Sequence, residues 1–534
     1  MNKKFIIFSV GKLLEILAFI LIIPAAITLF EIKQKHLLVA ILDYRLVGFI
    51  IAIISSFVTG NILKTFGSSE LSDSGIKEGF AIVTFSWLSL TFFGAIPLMS
   101  YFLHQSANIS IITFLSAFTD SYFEIMSGFT TTGATVISNV EILPSGILFW
   151  RSLTHWLGGM GIITLALAIL PAFGIASYQM FKGEVPGPTA ERLKPRLAQT
   201  AKILWSTYAM LTLLEVIFLR IGGMTTFDAL CHSFGTMATG GFSTKNASIA
   251  AYNSPFIEWV IIVFMFLAGM NFIIHYRILF FRKFDILQNN REFHFYFFII
   301  LIAILASVTV LAVKGVNSKS QIAQSFRNQP LTEKAIDKKI TNEDARIESF
   351  SDKLRHSAFA VVSITTTTGY CSADSDVWPN FIRYLLVILM FFGGCAGSTG
   401  GGIKMIRIMV IIKSAFREIK ALIQPRIVLP LKIAKKTLAE KQVQNILGFT
   451  MLFLAFFTVC SLAMSLFIED FTTSFTSVAA TMCNIGPGLS GIGATENYAW
   501  IPLGGKWILV LCMLLGRLEI YTVLIAFAPI SWKK

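Results

Sequence analysis

The sequence predicts an all-α polytopic membrane protein of about ten transmembrane helices, with four pseudo-repeated helix–pore loop–helix units around one central pore and two N-terminal helices. The 534 residues are 55% hydrophobic and only 14% charged, which is too apolar for a soluble globule of this length. Apolar stretches able to cross a hydrocarbon core of about 30 Å recur along the chain. A polar run rich in glycine and threonine also occurs four times.

Each polar run lies between two apolar segments. Aligned on Gly133, Gly240, Gly369 and Gly486, the runs are 107, 129 and 117 residues apart. A cation that leaves water needs replacement oxygens, which backbone carbonyls and hydroxyls supply without a fixed charge. Glycine tolerates the required backbone because it lacks a Cβ atom. The candidate cation-filter residues are therefore Thr130, Thr131, Thr132, Gly133, Met237, Ala238, Thr239, Gly240, Thr366, Thr367, Thr368, Gly369, Cys483, Asn484, Ile485 and Gly486.

The alternative for each run is a close-packing surface of small residues between membrane helices. Four runs in the same position of four similar units favour pore loops instead.

The ten spans are predicted at residues 6–30, 39–60, 80–103, 146–171, 201–221, 255–279, 294–313, 380–412, 445–467 and 505–528. The units are predicted at residues 1–65 for the N-terminal pair and at 78–198, 199–292, 293–443 and 444–534 for the four pore repeats.

The third repeat carries two additions. A polar insert at 314–355 is expected to be a surface excursion, or to be partly disordered, on the side from which the pore loops enter. The exit span is interrupted at 393–402, where six of ten residues are glycine, each costing about 1 kcal/mol relative to alanine in a helix. We expect this interruption to be a mobile loop below the filter that acts as a gate, the alternative being a tight helix crossing. The candidate gate residues are Gly393, Gly394, Gly397, Ser398, Thr399, Gly400, Gly401 and Gly402.

Arg517, inside the last span, is the remaining candidate gate residue. A charge there costs several kcal/mol unless it faces a cavity or a partner. A guanidinium beside a cation pore would raise the barrier to ions, and it would hold the gate loop through carbonyl groups. The alternative is a structural ion pair with Glu519, although positions two apart on a helix do not face each other. Glu124 and His155 are interpreted as packing residues, the alternative being a position near the pore.

The net charge of +14 is assigned to cytoplasmic loops rather than to nucleic-acid binding. Between residues 404 and 441, ten basic side chains stand against only Glu418 and Glu440. By the positive-inside rule, the loops after the exit spans and both termini are cytoplasmic, so the filters face outward. The carboxylates of Asp120, Asp228 and Asp470 are expected near the N-terminal ends of three pore helices, where capping explains them.

Several stretches closely resemble the Trk/Ktr/HKT superfamily of potassium transporters. They are the four filters, residues 155–161 (HWLGGMG), 184–188 (EVPGP) and 393–402 followed by Lys404, and 516–519 (GRLE). The two extra N-terminal spans are similar to those of its bacterial TrkH/TrkG-type membrane subunits. The resemblance covers nearly the whole chain. It implies a homodimer in the bacterial inner membrane, with one K⁺ pore per protomer, an intramembrane gate loop and an arginine beneath the filter.

The resemblance also implies a cytosolic TrkA-like regulatory ring that docks on the basic face. NAD or ATP would bind that partner, and this chain is expected to bind no cofactor because nothing in it resembles a Rossmann or Walker loop. The insert at 314–355 looks longer than the family usually has, and the fourth filter lacks the threonines of the first and third. With one glycine per filter, we expect modest discrimination between K⁺ and Na⁺ and acceptance of Rb⁺.

Other functions stay open at this stage. One is a weakly selective Na⁺/K⁺ transporter of the same fold. Another is a secondary transporter for an organic solute, an architecture that favours two repeats rather than four matched loops. A membrane enzyme would need a catalytic constellation, and the seven histidines are dispersed without one.

Overall fold

The computed structural model describes residues 1–32, 43–68, 76–106, 108, 110–161, 197–316, 343, 346–424, 429–433 and 436–532. These residues are helical apart from turns, loops and one short hairpin, formed by β1 (Lys432–Ile433) and β2 (Lys436–Thr437). Six of the described helices are long and apolar enough to cross a membrane, and two bent helix pairs each qualify as one further span. The predicted all-α polytopic fold is confirmed.

The two N-terminal helices, α1 (Lys3–Ile32) and α2 (Tyr44–Phe66), pack against each other in antiparallel orientation. They cross at a pair of glycines: a Cβ atom at Gly11 would lie 2.7 Å from the carbonyl oxygen of Gly60, and one at Gly60 would lie 2.8 Å from that of Gly11. Close to this crossing, Lys64 donates to the Glu15 carboxylate. Lipid supplies no hydrophobic drive for helix association, so the two helices are held together by close packing. The glycines at the crossing allow this packing and set the distance between the helices.

The remainder of the chain repeats one order of elements four times: entry helix, pore helix, irregular segment, 3₁₀ turn and exit helix. The first unit contains α3 (Ile76–Gln105), α4 (Ile111–Phe129) and α5 (Ser145–Gly159); the second contains α6 (Leu197–Ile221), α7 (Thr226–Ala238), α8 (Pro255–Ala268) and α9 (Phe272–Phe281). After the short α10 (Asp285–Asn289), the third contains α11 (Arg291–Lys314), α12 (Phe350–Thr365), α13 (Asn380–Met390) and α14 (Met405–Ile423). The fourth contains α15 (Glu440–Met464), α16 (Phe471–Met482), α17 (Leu503–Leu518), α18 (Ile520–Phe527) and α19 (Pro529–Trp532). The 3₁₀ turns are Val140–Ile142, Ser248–Tyr252, Ser375–Val377 and Ser490–Ile492.

All four pore helices begin at a side chain that caps the first turn. The caps of α4, α7, α12 and α16 are Ser110, Thr225, Ser349 and Asp470, each accepting a backbone N–H three residues ahead. Polar caps keep the N-terminal ends where backbone groups can meet water, while the C-terminal ends are buried.

Asp120 does not cap a helix, which corrects the sequence prediction. It lies in the middle of α4 and accepts a 2.6 Å bond from Lys506 of α17. The cap falls on Ser110 because the helix begins nearly three turns earlier.

The exit spans of the second and fourth units are bent, where the sequence predicts continuous helices at 255–279 and 505–528. The angle is 104° between α8 and α9 and 110° between α17 and α18. At the first bend, Asn271 caps α9 by accepting the N–H of Ile273, and Phe272 N donates to Gly397 O at 3.0 Å. At the second bend, Glu519 has φ 59°, outside the helical region.

Other predicted features lie partly outside the described residues. These are the start of the span at 39–60, the end of the span at 146–171, the motif at 184–188 and most of the insert at 314–355. The described end of the insert packs on the protein, since Arg346 donates to the carbonyl oxygens of Ser372 and Ala250. The predicted span at 380–412 is present as α13 and α14, separated by an irregular loop.

The crossing of α1 and α2 gives a stability prediction. We expect Gly60→Val to lower the free energy of unfolding by about 1–3 kcal/mol, because the added carbons meet backbone atoms that cannot move aside. Thermal unfolding of the purified protein in detergent measures the change. Ile54→Val, on the exposed face of the same helix, is the control and should leave the melting temperature unchanged. Equal melting temperatures for the two variants would contradict a close glycine contact.

Candidate ion pathway

The four irregular segments share one backbone conformation. In each, a non-glycine residue with left-handed φ is followed two residues later by a glycine with positive φ. The non-glycine residues are Thr131, Thr239, Thr367 and Asn484, with φ of 54°, 56°, 61° and 56°. The glycines are Gly133, Gly241, Gly369 and Gly486, with φ of 81°, 82°, 80° and 101°. L-residues rarely adopt such φ values, so four matching pairs mark a conformation that the surrounding structure maintains.

The second segment is therefore offset by one residue from the sequence alignment. Gly241, not Gly240, matches the other three glycines, and Gly240 matches Thr132, Thr368 and Ile485. Met237 lies inside α7 rather than in the segment, and Ala238 is the last residue of that helix. Two consecutive glycines made the register ambiguous from sequence, and only the second has positive φ.

The four segments form a closed ring. A Cβ atom at Gly133 would lie 2.1 Å from Gly240 O, and one at Gly241 would lie 2.2 Å from Thr368 O. The ring continues with 1.8 Å from Gly369 to Ile485 O and 2.7 Å from Gly486 to Thr132 O. Each segment thus presents a carbonyl to the glycine of a neighbour, in the cyclic order 1–2–3–4. No side chain fits at the glycine positions without displacing a carbonyl oxygen.

Hydroxyl groups are distributed unequally around the ring. Thr130 and Thr132 share a hydroxyl–hydroxyl bond of 2.8 Å in the first segment, as do Thr366 and Thr368 in the third. The matching positions in the second and fourth segments carry no hydroxyl: they are Ala238, Gly240, Cys483 and Ile485. The hydroxyl pairs therefore lie on opposite sides of the ring.

The fourth segment is attached through its asparagine. Asn484 Nδ2 donates to Thr132 Oγ1 at 2.9 Å and to Met513 O at 3.1 Å. This amide therefore links the fourth segment to the first segment and to exit helix α17.

A cavity of about 110 Å³ opens above the ring. It is lined by the four positive-φ glycines, by residues of the loops that follow them, including Lys245 and Glu496, and by Arg151 of α5. Tyrosine hydroxyls hold these loops: Tyr498 donates to Gly486 O at 2.6 Å, and Tyr370 donates to Phe242 O at 3.0 Å. The cavity is a water-accessible mouth leading to the ring.

Glu124 and Arg151 form a fully buried ion pair of 2.7 Å beside the first segment. Glu124 also accepts the backbone N–H of Val136 and the hydroxyl of Thr135, both just after the segment. The Arg151 guanidinium lies 4.2 Å from the ring centre of Phe242, which follows the second segment. The pair thus positions the backbone on the outer side of two segments, beyond the packing role inferred from sequence.

The glycine-rich loop between α13 and α14 lies against the inner side of the ring. Gly401 N donates to Thr367 Oγ1 at 2.7 Å, and a Cβ atom at Gly401 would lie 2.5 Å from Cys483 O. Thr399 Oγ1 donates to Met237 O at 3.0 Å. The loop tip therefore contacts the second, third and fourth units directly.

Arg517 connects this loop to the first unit. Nη1 donates to Thr399 O at 2.6 Å, and Nη2 donates to Gly158 O at 2.6 Å and to Gly159 O at 3.1 Å. The expected contact between the arginine and a loop carbonyl is thus present, whereas its gating role stays a prediction. Glu519 pairs with Arg407 at 2.7 Å.

Both ends of the loop are held by one carboxylate that sequence reasoning did not identify. Glu292 Oε1, in the first turn of α11, accepts the backbone N–H of Ala396 at 2.7 Å and that of Ile406 at 3.1 Å. The two ends also bond to each other, Gly393 N donating to Ile403 O at 2.9 Å. Lys404 donates to Gly400 O within the loop. The only sequence signal for Glu292 is an acidic residue beside a long apolar span.

This arrangement defines a class of protein. Four irregular segments between membrane-spanning helices converge on a ring of carbonyl groups, with a cavity on one side and a loop across the other. Such a ring is the structure of a cation-conducting membrane protein. Among the described residues, no cluster of three or more His, Cys, Asp or Glu side chains is placed to hold a metal ion.

Comparisons with known proteins identify the family. The family model of TrkH, described as a cation transport protein, matches residues 47–534. The Trk system potassium uptake protein TrkH of Escherichia coli K12 is 36% identical over 89% of this chain and 90% of its own length. TrkG of the same organism is 32% identical over 86% of each chain. The crystal structure of the potassium transporter TrkH from Vibrio parahaemolyticus matches with a TM-score of 0.80 and 32% identity, covering both chains completely.

The chain belongs to the TrkH family. The resemblance inferred from the sequence motifs is therefore confirmed, as is the prediction that the protein is a transporter and not an enzyme.

The anchoring of the loop by Glu292 can be tested by hydrogen exchange. Glu292→Leu removes the acceptor for two buried N–H groups, and leaving a buried donor unsatisfied costs about 1–3 kcal/mol. We expect the amides of residues 394–406 to exchange at least about tenfold faster. Glu292→Gln retains an acceptor oxygen and should stay close to the parent protein, and residues 130–133 should be unaffected in both variants. Unchanged exchange in Glu292→Leu would show that the loop ends are held by other bonds.

Proposed function

We propose that this protein mediates K⁺ uptake across the bacterial inner membrane, through the ring of carbonyl groups formed by its four filter segments. The observation that carries the proposal is that ring, with a glycine of each segment against a carbonyl of its neighbour. The names of the relatives, which are potassium uptake proteins, support K⁺ as the ion. K⁺ is the transported substrate, and no cofactor is assigned to this chain.

The proposed filter uses carbonyl and hydroxyl oxygens in place of the hydration shell of the ion. Its glycines keep the carbonyls close enough to act together, because any side chain at those positions would push one out of line. The proposed filter residues are Thr130, Thr131, Thr132, Gly133, Ala238, Thr239, Gly240, Gly241, Thr366, Thr367, Thr368, Gly369, Cys483, Asn484, Ile485 and Gly486. An interior-negative potential drives inward movement, by about 2.3 kcal/mol per unit charge and 100 mV.

The loop from Gly393 to Gly402 is proposed as the gate. Its tip lies against the inner side of the filter, so conduction requires it to move aside. Arg517 is proposed as the latch, since its guanidinium joins the tip to α5 and places a positive charge in the cation pathway. Glu292 would keep the ends of the loop in place while the tip moves.

The proposed assembly is a homodimer with a pore in each protomer, each built from the N-terminal pair and four pore repeats at the predicted boundaries. Both termini and the basic loops are placed in the cytoplasm. A TrkA-like regulatory subunit that binds NAD or ATP would dock on the basic face near α14. Exposed lysines there support an electrostatic contact: Lys413, Lys420, Lys432 and Lys441.

A Na⁺/K⁺ transporter with weak selectivity is the second candidate. The observation that favours it is the unequal distribution of hydroxyls, which gives the ring fewer equivalent oxygens than a fourfold filter has.

The filter can be tested by ⁸⁶Rb⁺ uptake into liposomes that contain the purified protein, with K⁺ or Na⁺ as external competitor. We expect K⁺ to block uptake at concentrations at least about tenfold below those of Na⁺. Gly133→Ser should abolish that preference, because its Cβ atom meets Gly240 O. The matched control is Gly223→Ser, which has an equally positive φ of 96° but no atom within 4 Å of the added carbon.

Each outcome of that experiment has a distinct meaning. Equal competition by Na⁺ and K⁺ in the parent protein would favour the second candidate. If the parent protein takes up no Rb⁺, deletion of residues 394–400 separates a closed gate from the absence of a pore. A deletion variant that also takes up no Rb⁺ would contradict the proposed pathway.

The latch can be tested by removing the Arg517 guanidinium. We expect Arg517→Gln to raise basal Rb⁺ uptake at least about fivefold without any cytosolic partner, because bonds to a charged donor worth about 1.5–3 kcal/mol each are lost. Arg220→Gln is the matched control, since Arg220 also donates to a carbonyl, Met224 O at 2.5 Å, but away from the ring. Uptake that falls or stays level in Arg517→Gln would contradict the latch.

A further inference from the structure

We propose that His155 is a specificity-determining residue: its ring fills the space behind Gly240 and sets the position of the Gly240 carbonyl in the filter ring. The inference rests on the proposed filter. It extends specificity to a side chain outside the four segments, on exit helix α5.

His155 is completely buried between the first two segments and bonds to the backbone at both. Its Nδ1 lies 2.8 Å from Gly128 O, at the end of the first pore helix. Its Nε2 accepts the N–H of Phe242 at 3.2 Å, immediately after the second segment. Because a backbone N–H only donates, Nε2 carries no proton, and the neutral ring donates from Nδ1 to Gly128. The imidazole of His155 therefore fixes the position of the first two filter segments relative to each other.

The same ring explains why residue 240 is glycine. A Cβ atom at Gly240 would lie 2.5 Å from Cγ of His155 and 2.6 Å from Nδ1. The backbone of Gly240 does not itself require glycine, since the positive φ belongs to Gly241. Glycine at position 240 therefore leaves room for the imidazole. The imidazole lies directly behind the backbone carbonyl that faces Gly133.

The other three units provide an internal comparison. Aligned with residues 155–158 (HWLG), the exit helices read MFLA at 265–268, MFFG at 390–393 and MLLG at 513–516. The alignment agrees with the packing: a Cβ atom at Gly158 would lie 1.9 Å from Phe129 O, and one at Gly516 would lie 2.0 Å from Met482 O. Phe129 and Met482 are both the last residue of a pore helix. Histidine therefore stands in one unit where the other three have buried methionine.

The residue at the carbonyl position varies together with the residue behind it. The exit helices of the first two units lie against the next segment of the ring: Gly159 of α5 approaches Ala238, and Gly269, after α8, approaches the matching Thr366. The main-chain carbonyl of Met513 is joined to Thr132 of the following segment through the side chain of Asn484. By the alignment of the four units, the corresponding positions are His155 with Gly240, Met265 with Thr368, Met390 with Ile485 and Met513 with Thr132.

These pairings assign a mechanism to His155. Where the backing residue is a flexible methionine, the segment contributes its own side chain to hold the carbonyl. Where the segment has only glycine, the rigid imidazole supplies the support through space filling and two hydrogen bonds. The second carbonyl therefore depends on His155 more than any of the other three depends on its methionine.

A double-mutant cycle tests the proposal. The selectivity ratio, K⁺ against Na⁺ as competitor of ⁸⁶Rb⁺ uptake, is measured in liposomes for the parent protein, His155→Met, Gly240→Thr and the double variant. We expect each single variant to lower the ratio about fivefold to tenfold, one by losing two hydrogen bonds and the other by a clash. The double variant recreates the pairing of Met513 with Thr132 and should recover most of the ratio. His275→Met, a buried histidine that bonds to Leu267 O, is the control and should not change it.

The outcomes separate this inference from the proposed function. A selective parent protein with an unchanged ratio in His155→Met, or a double variant no better than the worse single variant, would overturn the role of His155 and leave the filter intact. A parent protein without preference for K⁺ would overturn the filter itself. If His155→Met does not fold, His155→Gln replaces it: its amide keeps one donor and one acceptor, but its flexible side chain lacks the rigid ring that the proposal requires, so an unchanged ratio in that variant would equally refute the proposal.

Discussion

The close approach of four backbone segments at membrane depth is the constraint on which the rest of the structure depends. The glycines of the ring adopt φ values that other residues avoid, and they leave no room for a Cβ atom. Such a backbone does not form regular hydrogen bonds along its own length, so surrounding elements must hold it. The pore helices end directly at it, and the exit helices approach it through glycines such as Gly158 and Gly516.

Charged side chains hold irregular backbone on both sides of the ring. Glu124 and Arg151 support the outer side of the ring, while Glu292 and Arg517 bind the loop on its inner side. A charge in the membrane interior is costly, and a helix can satisfy its own backbone without one. The charged side chains therefore replace the hydrogen bonds that a loop at this depth cannot obtain from water.

Much of the fold was accessible from sequence because it depends on local signals. Apolar length predicts the spans, and the polar residues Ser110 and Asp470 cap the pore helices that precede the first and fourth segments. The register of the second segment was missed because two adjacent glycines carry the same local signal. The bends at Asn271 and Glu519 were missed because their stabilising contacts come from distant parts of the chain. For the same reason, the sequence places His155 in a family motif and near the pore without identifying which backbone groups it contacts.

The glycine-rich loop interrupts the third exit span as the bends interrupt the second and fourth. The second and fourth exit spans are interrupted between Ala268 and Phe272 and between Leu518 and Ile520, and the third is interrupted between Met390 and Met405. The second, third and fourth units thus share a discontinuity and differ in its length. A long loop at this position requires only the lengthening of a junction that the repeat already contains, so the transmembrane scaffold around it need not be redesigned.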